Sequence, residues 1–223
     1  MTAELPPVED ELAGEGNITR KRLLQLGALV VPAAGVLGVT AAGGFTASAA
    51  TPEVAPNVNG ELLACTPGQQ TTIAQTEGPY FKSGSPQRTS LVQPGTQGTR
   101  LTVSGFVFSR SCKPLANVKL DFWQADNGGN YDNVGYTFRG HQFTDASGKY
   151  TLTTIVPGLY PGRTRHIHVK VQNPGGRILT TQTYFPGEPR NNTDTIYDRR
   201  LLMNVRTVGS AKEATFDFVL NVA

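Results

Sequence analysis

Helical signals are missing from this chain of 223 residues, which shows no long amphipathic stretch and has a charged fraction of only 17%. Its 25 glycines and 15 prolines instead suit a turn-rich β protein. Long Lys/Arg blocks are also lacking and the formal net charge is +3, which argues against a nucleic-acid partner. There are only two cysteines, Cys65 and Cys112, the wrong count for a thiolate metal site. In an exported chain an even pair predicts one disulfide, tying the N-terminal segment to the domain. Histidine is just as scarce, with three in all, and two of them stand side by side in one motif.

That motif is Tyr160-Pro-Gly-Arg163-Thr-Arg-His166-Ile-His168-Val. In a strand, successive side chains alternate faces, so His166 and His168 point one way while Ile167, Val169 and Val171 point the other. Two imidazoles on one face, backed by a packed apolar face, supply half of a metal site. The plainer alternative is a His-x-His pair on a solvated strand, the lesser share given so few histidines.

The N-terminus reads as a separate unit. Residues 1–18 are acidic and polar, and Thr19-Arg20-Lys21-Arg22 leads into an apolar run from Leu23 to about Phe45, followed by Ala47-Ser48-Ala49. A basic start, an apolar middle and an Ala-x-Ala end predict an export signal over residues 1–49, cleaved near Ala49, and hence a secreted or extracytoplasmic protein. The basic block resembles a twin-arginine signal, with Lys21 where the second arginine is expected, so the twin-arginine and general secretion routes both stay open. An uncleaved anchor is disfavoured by Pro32 and the many small residues, so no stable membrane insertion is expected. Residues 50–64, rich in Pro and Asn, read as a linker.

From residue 65 onward short segments of period two recur. Leu101/Val103/Val107, Val118/Leu120/Phe122, Tyr150/Leu152/Thr154, His166–Val171, Ile178–Tyr184 and Phe216/Phe218/Leu220/Val222 each predict a strand. Turn signals separate them at Asn127-Gly-Gly-Asn130, Asp145-Ala-Ser-Gly148, Asn173-Pro-Gly-Gly176 and Pro186-Gly187. The pattern predicts an all-β sandwich or barrel across residues 65–223. Trp123 reads as core, His141 as a loop residue beside Arg139-Gly140, and Tyr136, Tyr150, Tyr184 and Tyr197 as packing or cleft-lining residues.

A metal at His166 and His168 needs further ligands, and carboxylates are scarce near the motif, which counts against a two-histidine, one-carboxylate site. Tyrosine remains, because a highly charged cation stabilises the phenolate of a group whose free pKa is about 10. Oxygen-plus-imidazole ligation points to ferric iron more than to zinc or copper. Taken alone, however, Tyr160 is better explained by packing beside its turn.

Several segments in order resemble the intradiol ring-cleavage dioxygenases, the family of catechol and protocatechuate dioxygenases. They are Thr76-Glu-Gly-Pro-Tyr-Phe81, Leu120-Asp-Phe-Trp-Gln-Ala-Asp-Asn-Gly-Gly-Asn-Tyr131, Arg139-Gly140, Thr144-Asp145-Ala-Ser-Gly148-Lys-Tyr150, Pro157-Gly-Leu-Tyr160, Arg163 with His166-Ile-His168, and Thr180-Thr-Gln182-Thr-Tyr-Phe-Pro-Gly187. The resemblance covers roughly residues 65–223 and implies a two-sheet β-sandwich; no N-terminal helical dimerisation region is visible. It implies non-haem Fe(3+) held by Tyr131, Tyr160, His166 and His168, with Tyr160 the phenolate that leaves when substrate chelates. It gives Arg163 the role of stabilising negative charge on the ring, Gln182 a place behind the substrate, and Gly78, Pro79 and Tyr80 one pocket wall. The implied partners are a small aromatic diol and dioxygen, and the implied product is a muconate-type dicarboxylate. The stretch between Tyr160 and His166 is short for the family, so neither its substrate preference nor its dimer is carried over. Two other readings compete: a non-catalytic secreted binding sandwich, and a zinc hydrolase built on His166 and His168, which needs a third ligand.

Overall fold

Nine strands, five of them marked by apolar alternation, are described in a computed structural model for residues 65–66 and 68–223. The export-signal and linker expectations fall on residues 1–64 and lie outside the described residues. The strands are β1 (Arg100–Phe108), β2 (Lys119–Trp123), β3 (Arg139–Phe143), β4 (Lys149–Ile155), β5 (His166–Gln172), β6 (Ile178–Tyr184), β7 (Asn204–Val208), β8 (Ala211–Thr215) and β9 (Phe218–Val219). One sheet runs β3-β2-β5-β6, and the other runs β4-β1-β8-β7 with β9 also paired to β1. The architecture is the expected two-sheet sandwich. Its core lies between the sheets, where Leu101, Val103 and Val107 of β1 and Leu152 of β4 join Leu120, Phe122, Ile167, Val169 and Val171 of the other layer.

Two differences from the sequence expectations have clear causes. The predicted terminal strand over Phe216–Val222 is interrupted, because β8 and β9 pair with β1 on either side of a break at Phe216-Asp217. There the chain crosses directly over Gly105, where any Cβ would lie 1.9 Å from the Phe216 carbonyl oxygen. The Asp217 carboxylate fills the gap in the ladder by accepting from the Phe106 N–H at 2.8 Å. Second, His141 is not in a loop but in β3, opposite Asp121 of β2. Its Nδ1 lies 3.1 Å from Ser85 Oγ, and that hydroxyl donates to Asp121 at 2.7 Å.

Sheet edges present unpaired backbone groups that must be covered or paired. Residues 73–91 cover three of them in turn. Gln75 N–H donates to Thr180 of β6, Arg88 N–H to His141 of β3, and Leu91 N–H to Thr153 of β4. Just upstream of this strip, Cys65 and Cys112 form a disulfide that closes a loop with a sequence separation of 47 and contains β1. Cys65 is buried against Phe106, Phe108 and Val219. Cross-linking a loop of this length removes chain entropy from the unfolded state worth about 4 kcal/mol, with measured effects of about 2–4 kcal/mol. The double substitution Cys65→Ser/Cys112→Ser is therefore expected to lower the urea unfolding free energy by about 2–4 kcal/mol while leaving the far-ultraviolet β signature intact.

Candidate metal centre

Strand register assembles the floor of the site. Trp123 of β2 pairs with Arg139 of β3 and with His168 of β5, and His168 pairs with Gln182 of β6. Residues opposite one another share a face, so these four side chains form one row on the side of the sheet away from the core. The next row adds His166 opposite Tyr184. That outer face is nonetheless buried, with Gln182 and Tyr184 at 0% exposure and His166 and His168 at 4%. Loops 76–82, 126–137, 157–164 and 189–198 roof it.

Each imidazole is set by a different interaction. His166 Nδ1 lies 2.6 Å from the Thr164 carbonyl oxygen, which can only accept, so Nδ1 carries the proton and Nε2 presents its lone pair. His168 instead stacks on Trp123, with ring centroids 4.7 Å apart and planes within 8°. Its Nδ1 is buried without a hydrogen-bond partner, so stacking sets the ring. Trp123 is buried, but not in the core between the sheets as the sequence suggested: it lies on the opposite face of β2 from Leu120 and Phe122 and is the platform for a candidate ligand. Burial pushes the His166 imidazole down to about 4 and depresses His168 well below its ordinary value, so both rings are neutral donors near pH 7.

The phenols arrive on two loops locked together backbone to backbone. Asp126 Oδ1 accepts from the N–H groups of Gly128 and Asn130, forming the turn that leads into Tyr131. The Gly158 N–H donates to the Asp126 carbonyl at 2.7 Å. A Cβ on Gly129 would lie 2.3 Å from the Leu159 carbonyl oxygen, and one on Gly158 would lie 2.3 Å from the Gly129 nitrogen. Only glycine permits this approach, which brings Tyr131 and Tyr160 edge to face with centroids 5.8 Å apart. Buried Arg139 ties in the third loop, donating Nη1 to the Tyr80 carbonyl and Nε and Nη2 to the Asp132 carbonyl.

Tyr131, Tyr160, His166 and His168 are thus brought together. Tyr131 Oη lies 3.2 Å from His166 Nε2, and the two histidine Nε2 atoms are 3.1 Å apart. Donors about 2.0–2.1 Å from one ion, at angles near 90–110°, lie roughly 2.9–3.4 Å from one another, and both of these separations fall in that range. Burial raises the Tyr131 phenol above its ordinary value, and a bound cation acts in the opposite sense. The Tyr160 hydroxyl meets Tyr80 Oη at 2.8 Å, and Tyr80 stacks on Tyr131 at 4.6 Å. Of the expected pocket wall, Gly78 lies nearest the histidines: a Cβ there would be 3.7 Å from His168 Cε1. Pro79 is exposed.

Arg163 Nη2 donates to Gln182 Oε1 at 2.8 Å, and Gln182 Nε2 donates to the Thr76 carbonyl at 2.9 Å. One participant is not expected from the sequence. Asp194, 31 residues beyond Arg163, accepts from Arg163 Nε at 2.8 Å. No local pattern marks it; it sits in an irregular stretch among other polar residues.

Two phenols and two neutral imidazoles on a β-sandwich define a candidate metal centre with oxygen and nitrogen donors. A family model described as dioxygenase matches residues 76–222. Catechol 1,2-dioxygenase 2 of Acinetobacter lwoffii is 33% identical over 139 residues, covering 51% of this chain and 50% of that enzyme. The protocatechuate 3,4-dioxygenase beta chain of Burkholderia cepacia is 32% identical over 152 residues, covering 55% of this chain and 65% of that one. The chain therefore matches about half to two thirds of the length of these relatives. Among solved structures, the dioxygenase domain of a dioxygenase carbohydrate-binding protein fusion from Streptomyces sp. SirexAA-E is 68% identical, with a TM-score of 0.68 over 69% of this chain and 100% of that one. The 3-chlorocatechol 1,2-dioxygenase of Rhodococcus opacus 1CP is 29% identical, with a TM-score of 0.65 over 69% of this chain and 73% of that one. The chain belongs to the intradiol ring-cleavage dioxygenase family.

The backbone lock between the loops gives a direct test. Gly158→Ala keeps an allowed backbone but forces the loops apart, at a cost of about 1–3 kcal/mol for such overpacking. A crystal structure of the variant should show the Tyr131 and Tyr160 rings separated beyond 5.8 Å.

Proposed function

We propose that the protein binds ferric iron through Tyr131, Tyr160, His166 and His168 and cleaves a catechol-type ring with dioxygen between its two hydroxyl-bearing carbons. The product is a muconate-type dicarboxylate. The observation that carries this reading is the convergence of Tyr131 Oη and both histidine Nε2 atoms within 3.2 Å of their neighbours, with Tyr160 beside them. The donor chemistry favours iron over zinc: among the described residues no group of three His, Cys, Asp or Glu side chains could hold a metal. Two phenolates also offset two of the three positive charges of a ferric ion, which suits that oxidation state.

Bound iron supplies Lewis acidity and an electron-relay path between a chelated catecholate and dioxygen. The remaining work falls to the protein. Tyr160 is the proton acceptor on substrate entry, since its oxygen already lies 2.8 Å from a second hydroxyl, Tyr80 Oη, that can hold it once it moves. His166 stays fixed through its bond to Thr164, and His168 through its stack on Trp123. Arg163, pinned by Gln182 and Asp194, presents positive charge where anionic character develops on the ring. The roof of loops over a buried floor keeps bulk water from the reacting carbons.

We infer further that residues 1–49 direct export and are removed, so that the domain acts on small phenolic diols outside the cytoplasm. Without residues 1–49, which hold three basic and five acidic residues, the formal charge is a mild +5, which suits small anionic or phenolic molecules.

The full chain supplied with iron should show a tyrosinate-to-ferric charge-transfer colour that shifts when catechol is added without oxygen. Admitting oxygen should then consume it and release the dicarboxylate. Tyr160→Phe and His168→Ala should each lower ring cleavage by at least about 10²-fold, the scale of losing a positioned catalytic group, with the unfolding midpoint little changed. A colourless protein that leaves catechol intact refutes the reading, and wild-type turnover in either variant refutes the ligand assignment.

A further inference from the structure

Arg163 does not hold its place by its own packing, because its side chain reaches across a loop segment and remains one-fifth exposed. Two bonds fix it: Nε to Asp194 Oδ2 and Nη2 to Gln182 Oε1, both 2.8 Å. Both use the same edge of the guanidinium. A planar fork held at two points along one edge resists rotation, and Nη1 is the nitrogen outside these two bonds.

The carboxylate is itself immobilised. Asp194 Oδ2 also accepts the Thr164 N–H at 2.8 Å, and Oδ1 accepts the Ile196 N–H at 3.1 Å. Its side chain is 2% exposed, so the charge pair lies largely out of water, where losing one partner is costly. Thr164 then fixes His166 through its carbonyl. One carboxylate thus sits behind both the guanidinium and the entry to the histidine strand.

We propose that Asp194 is the positioning residue for Arg163, fixing the guanidinium so that Nη1 meets the anion formed on the ring. The proposal rests on the dioxygenase reading of the site. Without Asp194 the guanidinium keeps Gln182 and the neighbouring Tyr184 hydroxyl but loses the bond that holds Nε. Asp194 supplies that bond and keeps the positive charge over the cleft.

The test compares Asp194→Ala and Asp194→Asn in the wild-type and Arg163→Gln backgrounds, using the iron-loaded full chain with catechol. Asn can keep a neutral oxygen toward Arg163 Nε and Thr164 N–H. Misplacing a positioned group by about 1 Å costs roughly 10²-fold, so Asp194→Ala should lose about that much in kcat/KM, mostly in kcat, with Asn recovering part of it. In the Arg163→Gln background, Asp194→Ala should cost much less than it does in the wild-type background, because residues acting through one interaction are not additive, and what remains is carried by its bond to Thr164. A second readout needs neither iron nor turnover. In the full chain prepared without iron, the Arg163 Nε–H should give a slowly exchanging nitrogen-15 NMR signal that is lost in Asp194→Ala.

Additive losses in the double variant overturn the proposal, as does an Arg163 signal unchanged in Asp194→Ala. If the alanine variant does not fold, the asparagine variant decides the same two questions through its smaller effects. A wild-type protein that leaves catechol intact overturns the dioxygenase reading and the catalytic consequence with it. That failure is recognisable because the Arg163 signal still reports whether Asp194 anchors the guanidinium.

Discussion

The antiparallel register of β2, β5 and β6 is the constraint on which the site depends. It lines up Trp123, His168 and Gln182 in one row and sets His166 opposite Tyr184 in the next. The same register sends Phe122, Ile167, Val169 and Val171 into the core. Because strand side chains alternate, a slip of one residue would exchange the two sets entirely. Packing energy spent on the apolar face therefore also fixes the imidazoles, and the candidate metal centre inherits the rigidity of the sandwich.

On that floor stand groups with looser support. The phenols come from loops, and loops hold position only where something specific ties them. Here the ties are main-chain contacts: the Gly129–Gly158 approach, the Asp126 turn and the Arg139 bonds to Tyr80 and Asp132. The two kinds of donor thus differ in mechanical character. The histidines are framework groups on strands, whereas the tyrosines stand on loops that hold their place through main-chain contacts to one another.

Much of this is legible in the sequence wherever side-chain chemistry and local spacing coincide. The strands β1, β2, β4, β5 and β6 announce themselves by apolar alternation, and His166 and His168 by sharing a face two residues apart. Strand β3 does not, because its residues Arg-Gly-His-Gln-Phe carry polar groups on both faces and its burial comes from neighbouring segments. Strands β7 and β8 are short, β7 largely exposed and β8 mostly half-buried, and neither shows apolar alternation. Asp194 is invisible for another reason: its role exists only once the loop of residues 189–198 folds over Arg163. Gly129 and Gly158 look like ordinary turn residues, and only the folded chain reveals that each leaves room for the other's backbone.

The strip from residue 73 to residue 91 that seals three sheet edges also carries Gly78, Pro79 and Tyr80 over the histidines. It precedes every described strand, yet it can dock only after β3, β4 and β6 exist to receive it. One segment thus serves two ends: the same docking that covers the sheet edges also sets Gly78 beside His168, so the candidate pocket and the closure of the sandwich share their contacts.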